Sequence, residues 1–226
     1  MSNNEWAGQL WLGRDYGLIR GALGKTTEHA HYAHQLLLAP REAVTISLEG
    51  RPLSGHRLFI EAQRRHAILG APGEVFSLYA EPLAISAAAL QSAVATVEWS
   101  LPALDQALRQ CPRQPLGDSR LERALAELDE LISGKVAARQ LAQAAHLSLS
   151  QLERLFGEHL GLPIRRLVLW RRLRLALAQV LAGSSLTVAA HNAGFADSAH
   201  FSRTMKKLFG VSAGRSLPPL ECRLLD

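Results

Sequence analysis

Apolar residues recur along this chain with two different periods, and the change from one to the other divides it. Up to about Pro82 the period is two. Val44, Ile46 and Leu48 alternate with polar neighbours, Leu58 and Ile60 do the same in HRLFIEA, and Val75, Ser77 and Tyr79 follow an APGE turn. Gly and Pro at Gly50, Pro52, Gly55, Pro72 and Gly73 separate the runs. Short strands so spaced predict an antiparallel β sandwich or small barrel over residues 1–82. From Leu83 to about Gln110 the residues turn to Ala, Leu and Gln, with Pro102 suited to the first turn of a helix, so residues 83–117 read as a helical connector. Its apolar stripe (Leu83, Leu90, Val94, Val97, Leu101, Leu104, Leu108) suits pairing with a second subunit, the favoured reading, or covering the sheet.

Beyond Asp118 the period is helical throughout, which predicts an all-α region over 118–226 and an α+β chain as a whole. Asp118-Ser119 can cap a helix whose one face carries Leu121, Leu125, Leu128 and Leu131/Ile132. A short helix with Leu141 and Ala145 follows, then a turn at His146-Leu147, then a helix opened by Ser148 that bears Leu152, Leu155 and Phe156 and closes at Gly161. Pro163 starts one long helix running to Leu181 with Leu167, Trp170, Leu173, Leu177 and Val180/Leu181 inward. Ser185 to Ala193 repeats the short-helix signal, and Asp197 caps a last helix with Phe201, Met205 and Leu208.

Charge sharpens this division. Of 226 residues, Met1–Gln110 hold 9 Lys/Arg against 10 Asp/Glu and Cys111–Asp226 hold 16 against 10, so the halves lie near −1 and +6. A basic helical half beside a neutral one points to a module that meets a polyanion and a module with another task. The 48% hydrophobic content excludes wholesale disorder. Neither a secretory leader nor a spanning segment is expected, and Cys111 and Cys222 form no ligand or disulfide pattern, so a soluble protein of the reducing cytoplasm is the expectation.

Two stretches of the basic half repeat one grammar: LAQAAHLSLSQLERLFGEHLG (Leu141–Gly161) and VAAHNAGFADSAHFSRTMKKLFG (Val188–Gly210). Each has a short helix with small residues, a tight turn, a polar cap and a second helix with Arg about two turns in. That is a helix-turn-helix written twice. Small residues such as Ala142, Ala145 and Ala190 let the first helix pack closely behind a second that protrudes into a major groove about 12 Å wide. Two copies joined by one stiff helix can meet the same side of a duplex whose repeat is about 34 Å.

The run Ala190–Phe195 with Asp197, Ser198, Phe201, Ser202, Arg203, Lys206-Lys207 and Gly210-Val211-Ser212 closely resembles the signature of the AraC/XylS regulators. Leu141–Gly161 and Arg172-x-x-x-Ala176 resemble the rest of that DNA-binding unit, so the likeness spans roughly Asp118–Leu217. Met205, Ala213 and Gly157 depart from the family's usual Phe, Pro and basic residue. The resemblance implies that Ser150, Glu153 and Arg154 in one recognition helix, and Ser198, His200, Ser202 and Arg203 in the other, face bases. A guanidinium grips guanine O6 and N7 in two bonds, so Arg154 and Arg203 are the foremost base readers, unless they pair with Glu158 or Asp197 as surface charges. Arg165, Arg166, Lys206 and Lys207 are the phosphate clamps. Trp170–Arg174 is either a basic patch or a solvated face of a packed helix. Double-stranded promoter DNA, a second copy of the chain and RNA polymerase are the partners an activator of this class would have.

Regulators of this class commonly carry a cupin-like sensor at the N-terminus. If the chain is extended there, His29, His31 and Gln35 share one strand face, with His66 at the end of a later strand, and the pattern resembles a cupin metal site with Gln35 in place of Glu. Three imidazoles suit Zn, Ni, Fe or Cu; a small organic effector lined by the histidines and a vestigial pocket are the other readings. His34 would face the opposite way. The expected function is therefore an effector-controlled transcription regulator. The rival is a cupin-type metal oxygenase or isomerase fused to a basic domain, against which stands the lack of a second acid/base constellation, a nucleophile elbow or a phosphate loop. A non-specific DNA-packaging protein is the third reading.

Overall fold

The computed structural model describes residues 7–217 and 220–225. They form two compact units: the β-rich one groups residues 1–114 with 202–226, and the helical one is Pro115–Phe201. The division differs from the expected boundaries at the C-terminus, because the last stretch of chain joins the β-rich unit.

In that unit β1 (Ala7–Leu12), β2 (Tyr16–Ala22), β3 (His34–Leu38), β6 (Arg57–Ile60), β8 (Glu74–Ala80) and β9 (Leu220–Leu224) form a six-stranded sheet in the order β6-β3-β8-β2-β1-β9. A second sheet has the order β5-β4-β7, from β4 (Val44–Leu48), β5 (Arg51–Gly55) and β7 (His66–Gly70). Neighbours pair antiparallel except β9, which runs parallel to β1 with Leu220 opposite Gly8 and Leu224 opposite Leu12. The register puts Leu18 opposite Leu78 and Leu78 opposite Leu36, so Tyr16, Leu18, Leu36, Leu38, Phe76, Leu78 and Ala80 share one face.

That face is covered by α1 (Ala87–Ala93) and α2 (Leu101–Gln110), whose first turns are capped by Ser86 and Ser100. Leu90, Val94, Leu101, Leu104 and Leu108 join the strand residues in one core, and Val97 packs against it. Of the two readings of the connector's apolar stripe, the structure shows these residues covering the sheet. The physical reason is that one face of an apolar sheet must be buried, and two short amphipathic helices next in the chain bury it locally.

The helical unit begins with α3 (Ser119–Leu131), capped by Asp118, whose carboxylate accepts from the backbone N of Arg120 and Leu121. Those bonds, with the Arg120 guanidinium foremost, hold the Asp118 carboxyl well below the usual carboxylate range. Then come α4 (Ala138–Ala144), α5 (Leu149–Leu160), α6 (Ile164–Leu181) and α7 (Leu186–Asn192). Leu121, Leu125, Leu128, Leu141, Leu152, Leu155, Phe156, Leu167, Trp170, Leu173, Phe195 and Phe201 are buried, as the helical period requires. Val180 and Leu181, expected inward, are only half-buried. The next helix, α8 (Ser198–Phe209), crosses the division between the units, and α9 (Ala213–Ser216) follows it. Among the described residues no helix is long and apolar enough to cross a membrane. Cys111 is a buried free thiol; the side chain of Cys222 lies outside those described.

Candidate nucleic-acid interface and histidine cluster

The first helix-turn-helix is α4, a turn, and α5. The turn places His146 at φ 55, and the backbone N of Leu147 donates to Ala142 O at 2.8 Å, which closes the loop tightly. Ser148 and Gln151 then make a reciprocal capping box: Ser148 Oγ accepts from Gln151 N, and Gln151 Oε1 accepts from Ser148 N at 2.9 Å. With Leu152, Leu155 and Phe156 inward, α5 leaves Ser150, Glu153 and Arg154 exposed on its other side. Ser150 Oγ lies 3.1 Å from Ser148 Oγ, so it also supports the cap. Arg154 does sit beside Glu158, but at 3.8 Å with side chains 73% and 63% exposed, a loose pair that a base could displace.

The second motif is α7, a turn at Gly194, and α8. Gly194 has φ +79, and a Cβ there would lie 2.9 Å from both Arg172 Nε and Ile132 O, so both the dihedral and the space demand glycine. Asp197 accepts from the backbone N of His200 and so caps α8. Arg203, Lys206 and Lys207 are exposed, and Arg203 makes no ion pair among the described residues; Ser198, His200 and Ser202 are half-buried. The His200 ring stands edge-on to Phe195 at 5.2 Å and its Nδ1 faces Ala196 N at 3.5 Å, so this side chain braces the turn. Arg165 and Arg166, in the first turn of α6, are exposed.

The WRRLR segment is neither of the two faces expected from sequence. Trp170 and Leu173 are core, Arg171 pairs with Asp129, and Arg172 donates through Nε to Ile132 O at 3.0 Å and through Nη2 to Gly134 O. Arg172 thus satisfies carbonyls at the end of α3, where a helix lacks internal donors. Its burial lowers the guanidinium's pKa from the usual value, yet a guanidinium stays charged at neutral pH.

In the β-rich unit, His29, His31 and His66 come together. Their rings lie 4.2 Å (His29–His66), 5.0 Å (His31–His66) and 5.7 Å (His29–His31) apart, and one ligand nitrogen from each falls within 4.8 Å of the others. The local structure is not the strand assumed from sequence. His29 and His31 precede β3, and His29 meets His66 in an isolated two-bond bridge, N to O at 2.9 Å both ways. Gln35 does lie in β3. Its amide N donates to Ser77 Oγ at 2.9 Å and Tyr79 Oη at 3.0 Å, leaving Oε1 to face His31 Nε2 at 3.3 Å. His34 stands apart, its Nδ1 accepting from Ala62 N at 3.1 Å.

All three rings are buried, which lowers their pKa values: His29 is pushed down to about 3 by desolvation and then by His66, His31 well below the usual imidazole value, and His66 also downward. Burial likewise pushes the Tyr79 phenol up to about 12. Phe209, the last residue of α8, closes the cluster, its ring 5.3 Å from His31 and 5.5 Å from Tyr79. Sequence reasoning missed Phe209. The one available signal was the last helical position of the repeat, Leu160 in the first copy and an aromatic in the second.

Two helix-turn-helix motifs joined by one continuous helix define a DNA-binding domain. The model of the family described as a helix-turn-helix domain matches residues 141–216. The HTH-type transcriptional activator RhaS of Escherichia fergusonii is 37% identical over 98 residues, 42% of this chain and 34% of that protein. RhaS of Salmonella schwarzengrund is 35% identical, also over 98 residues, 42% of this chain and 34% of that protein. The chain therefore matches about a third of the length of these curated relatives. Over the greater part of the chain the fold is similar to ToxT of Vibrio cholerae, with TM-score 0.56, 10% identity, and 89% of this chain and 96% of that one covered. ToxT bound to (E)-4-(8-methylnaphthalen-1-yl)but-3-enoic acid gives TM-score 0.57, 11% identity, and 88% and 97% coverage.

Proposed function

We propose that the protein is a cytoplasmic, sequence-specific transcription regulator in which two recognition helices, α5 and α8, enter successive major grooves of promoter DNA and the β-rich unit holds the controlling effector. The observation that carries this is the repeated motif itself, each copy with an exposed arginine, Arg154 and Arg203, two turns into its second helix. Ser150, Glu153, Ser198 and Ser202 complete the base-facing set, and Arg165, Arg166, Lys206 and Lys207 hold phosphates. His200, braced against Phe195, positions the α8 turn and reaches bases only secondarily. A ligand-controlled reading is supported by the fold shared with ToxT, which has been captured with an organic acid bound. Homodimerisation and a contact with RNA polymerase belong to the proposal, through surfaces other than the α1/α2 stripe.

The test is binding of the full chain to its own upstream DNA in gel shifts, with footprints of the Arg154→Ala and Arg203→Ala variants. Each substitution is expected to cost about 1–3 kcal/mol, concentrated at one base pair in the half-site of its own helix. Equal weakening on every sequence would instead indicate non-specific DNA packaging.

A further inference from the structure

Each of the three clustered histidines has its Nδ1 committed in the same way. His29 Nδ1 lies 2.8 Å from Thr27 O, His31 Nδ1 2.9 Å from Ala33 O, and His66 Nδ1 2.8 Å from Arg64 O. Only an N–H can be given to a carbonyl, so each ring carries a proton on Nδ1, which leaves Nε2 as its ligand atom. In metal sites the same Nδ1–H to carbonyl bond orients imidazole ligands. Two further observations go beyond it. His66 Nε2 is fully buried and has no hydrogen-bond partner among the described residues, a costly condition for a polar atom. His31 Nε2 faces the Gln35 oxygen at 3.3 Å, which puts an amide oxygen beside the imidazole nitrogens.

Resting on the regulator reading, we propose that His29, His31 and His66 bind a divalent first-row transition-metal ion, with Gln35 Oε1 at its edge, and that the site reports to α8 through Phe209 and Gly210. A set of imidazole nitrogens and one amide oxygen suits such ions and not Mg²⁺ or Ca²⁺. Ring nitrogens within 4.8 Å need only small inward rotations to reach metal–nitrogen distances of about 2.0–2.1 Å.

The link to α8 is steric. Phe209 lies on His31, and Gly210, at φ +72, comes so close that a Cβ would stand 2.8 Å from His29 Nδ1 and 2.5 Å from Thr27 O. Gly210 O accepts from Thr27 N at 3.2 Å and from Thr27 Oγ1 at 3.3 Å, and Thr27 O is the carbonyl that holds His29. Any inward turn of His29 or His31 on binding is therefore felt at the end of the helix that carries Arg203. Two bistable positions of that helix end would give the ion its regulatory effect.

The experiment loads the metal-depleted full chain with Zn²⁺ or Co²⁺, with Mg²⁺ as control. It reads stoichiometry by equilibrium dialysis, the Co²⁺ visible spectrum, hydrogen exchange of 26–31 and 207–212, and affinity for the upstream DNA. We expect one Zn²⁺ or Co²⁺ per chain, a nitrogen-rich Co²⁺ spectrum, added protection in both segments, and a DNA affinity changed by about 5-fold or more. His31→Gln and His66→Gln should lose binding by more than the roughly 10–100-fold typical of an outer-shell change. Gln35→Glu, which places a carboxylate where the amide oxygen stands, should tighten it; a gain cannot come from misfolding. Phe209→Ala should keep the ion and lose its effect on segment 207–212 and on DNA. Absence of a stoichiometric ion, or binding unaltered in the histidine variants, overturns the site. Loading that leaves segment 207–212 and DNA affinity unchanged overturns the coupling. Metal-dependent protection without any specific DNA binding leaves the site standing and overturns the regulator reading.

Discussion

Arg172 separates a packing role from a nucleic-acid role, because the sequence suits both and the structure chooses one. Its Nε–H⋯O bond to Ile132 is 3.0 Å, and a second bond reaches Gly134 O. Both acceptors are carbonyls at the end of α3, and the same guanidinium abuts Gly194 in the turn of the second motif. Hydrogen bonds from a charged donor are worth about 1.5–3 kcal/mol each, and the outer one is partly solvated. Arg172→Met keeps the stem against the core and removes both bonds, for a loss of about 2–3 kcal/mol. For a unit the size of Pro115–Phe201 that is a fall in unfolding midpoint of roughly 8 °C or more, read by helix ellipticity and by fluorescence of buried Trp170. Arg172→Lys, a single point donor, should recover less than half. DNA binding at a temperature where the variant is folded should keep its salt dependence. An unchanged midpoint combined with a salt slope smaller by about one would mean that Arg172 grips a phosphate, and the packing argument would be refuted.

Two other substitutions probe the β-rich unit. Leu104→Ala, at a fully buried position of the core shared by α2 and the sheet, should cost about 2–5 kcal/mol in chemical unfolding and leave the oligomeric state in sedimentation unchanged; dissociation without destabilisation would restore the stripe as a subunit contact. Tyr16 donates to the Asp105 carboxylate, which Arg109 Nε also holds at 3.0 and 3.1 Å, and burial first, then Asp105, raises its pKa above the usual value of 10.0. The folded state thus keeps a proton that the unfolded state releases above pH about 10, so this stabilisation is complete below that pH and is lost as pH rises through it. Tyr16→Phe should cost about 1.5–3 kcal/mol near neutral pH, and the gap from wild type should narrow above pH about 10; a gap independent of pH would refute the assignment.

What could be read from sequence followed from periodicity. α3, α5 and α8 show one apolar face against an exposed one, and such a helix declares that in its order of residues. β4, β6 and β8 were legible for the same reason with period two. β3 was not, because HQLLL is buried on both faces, against α1/α2 on one side and along the Gln35–Ser77–Tyr79 side on the other, and so carries no alternation. β9 was hidden for another reason. Its partner β1 lies at the far end of the chain, and no local pattern encodes a parallel pairing of such separation. The histidines were identified by residue type and count, while the irregular backbone that gathers them was not: a one-residue bridge leaves no periodic trace.

The same limit explains why α8 looked simpler than it is. Its inward face reads as an ordinary stripe of Phe201, Met205 and Leu208, and Phe209 appears as one more apolar residue ahead of a terminal glycine. Yet Phe201 packs on Phe195 while Phe209, two turns on, packs on His31 and Tyr79, so one helix contributes its start to one core and its end to another. Between those anchors stand Arg203, Lys206 and Lys207, all exposed.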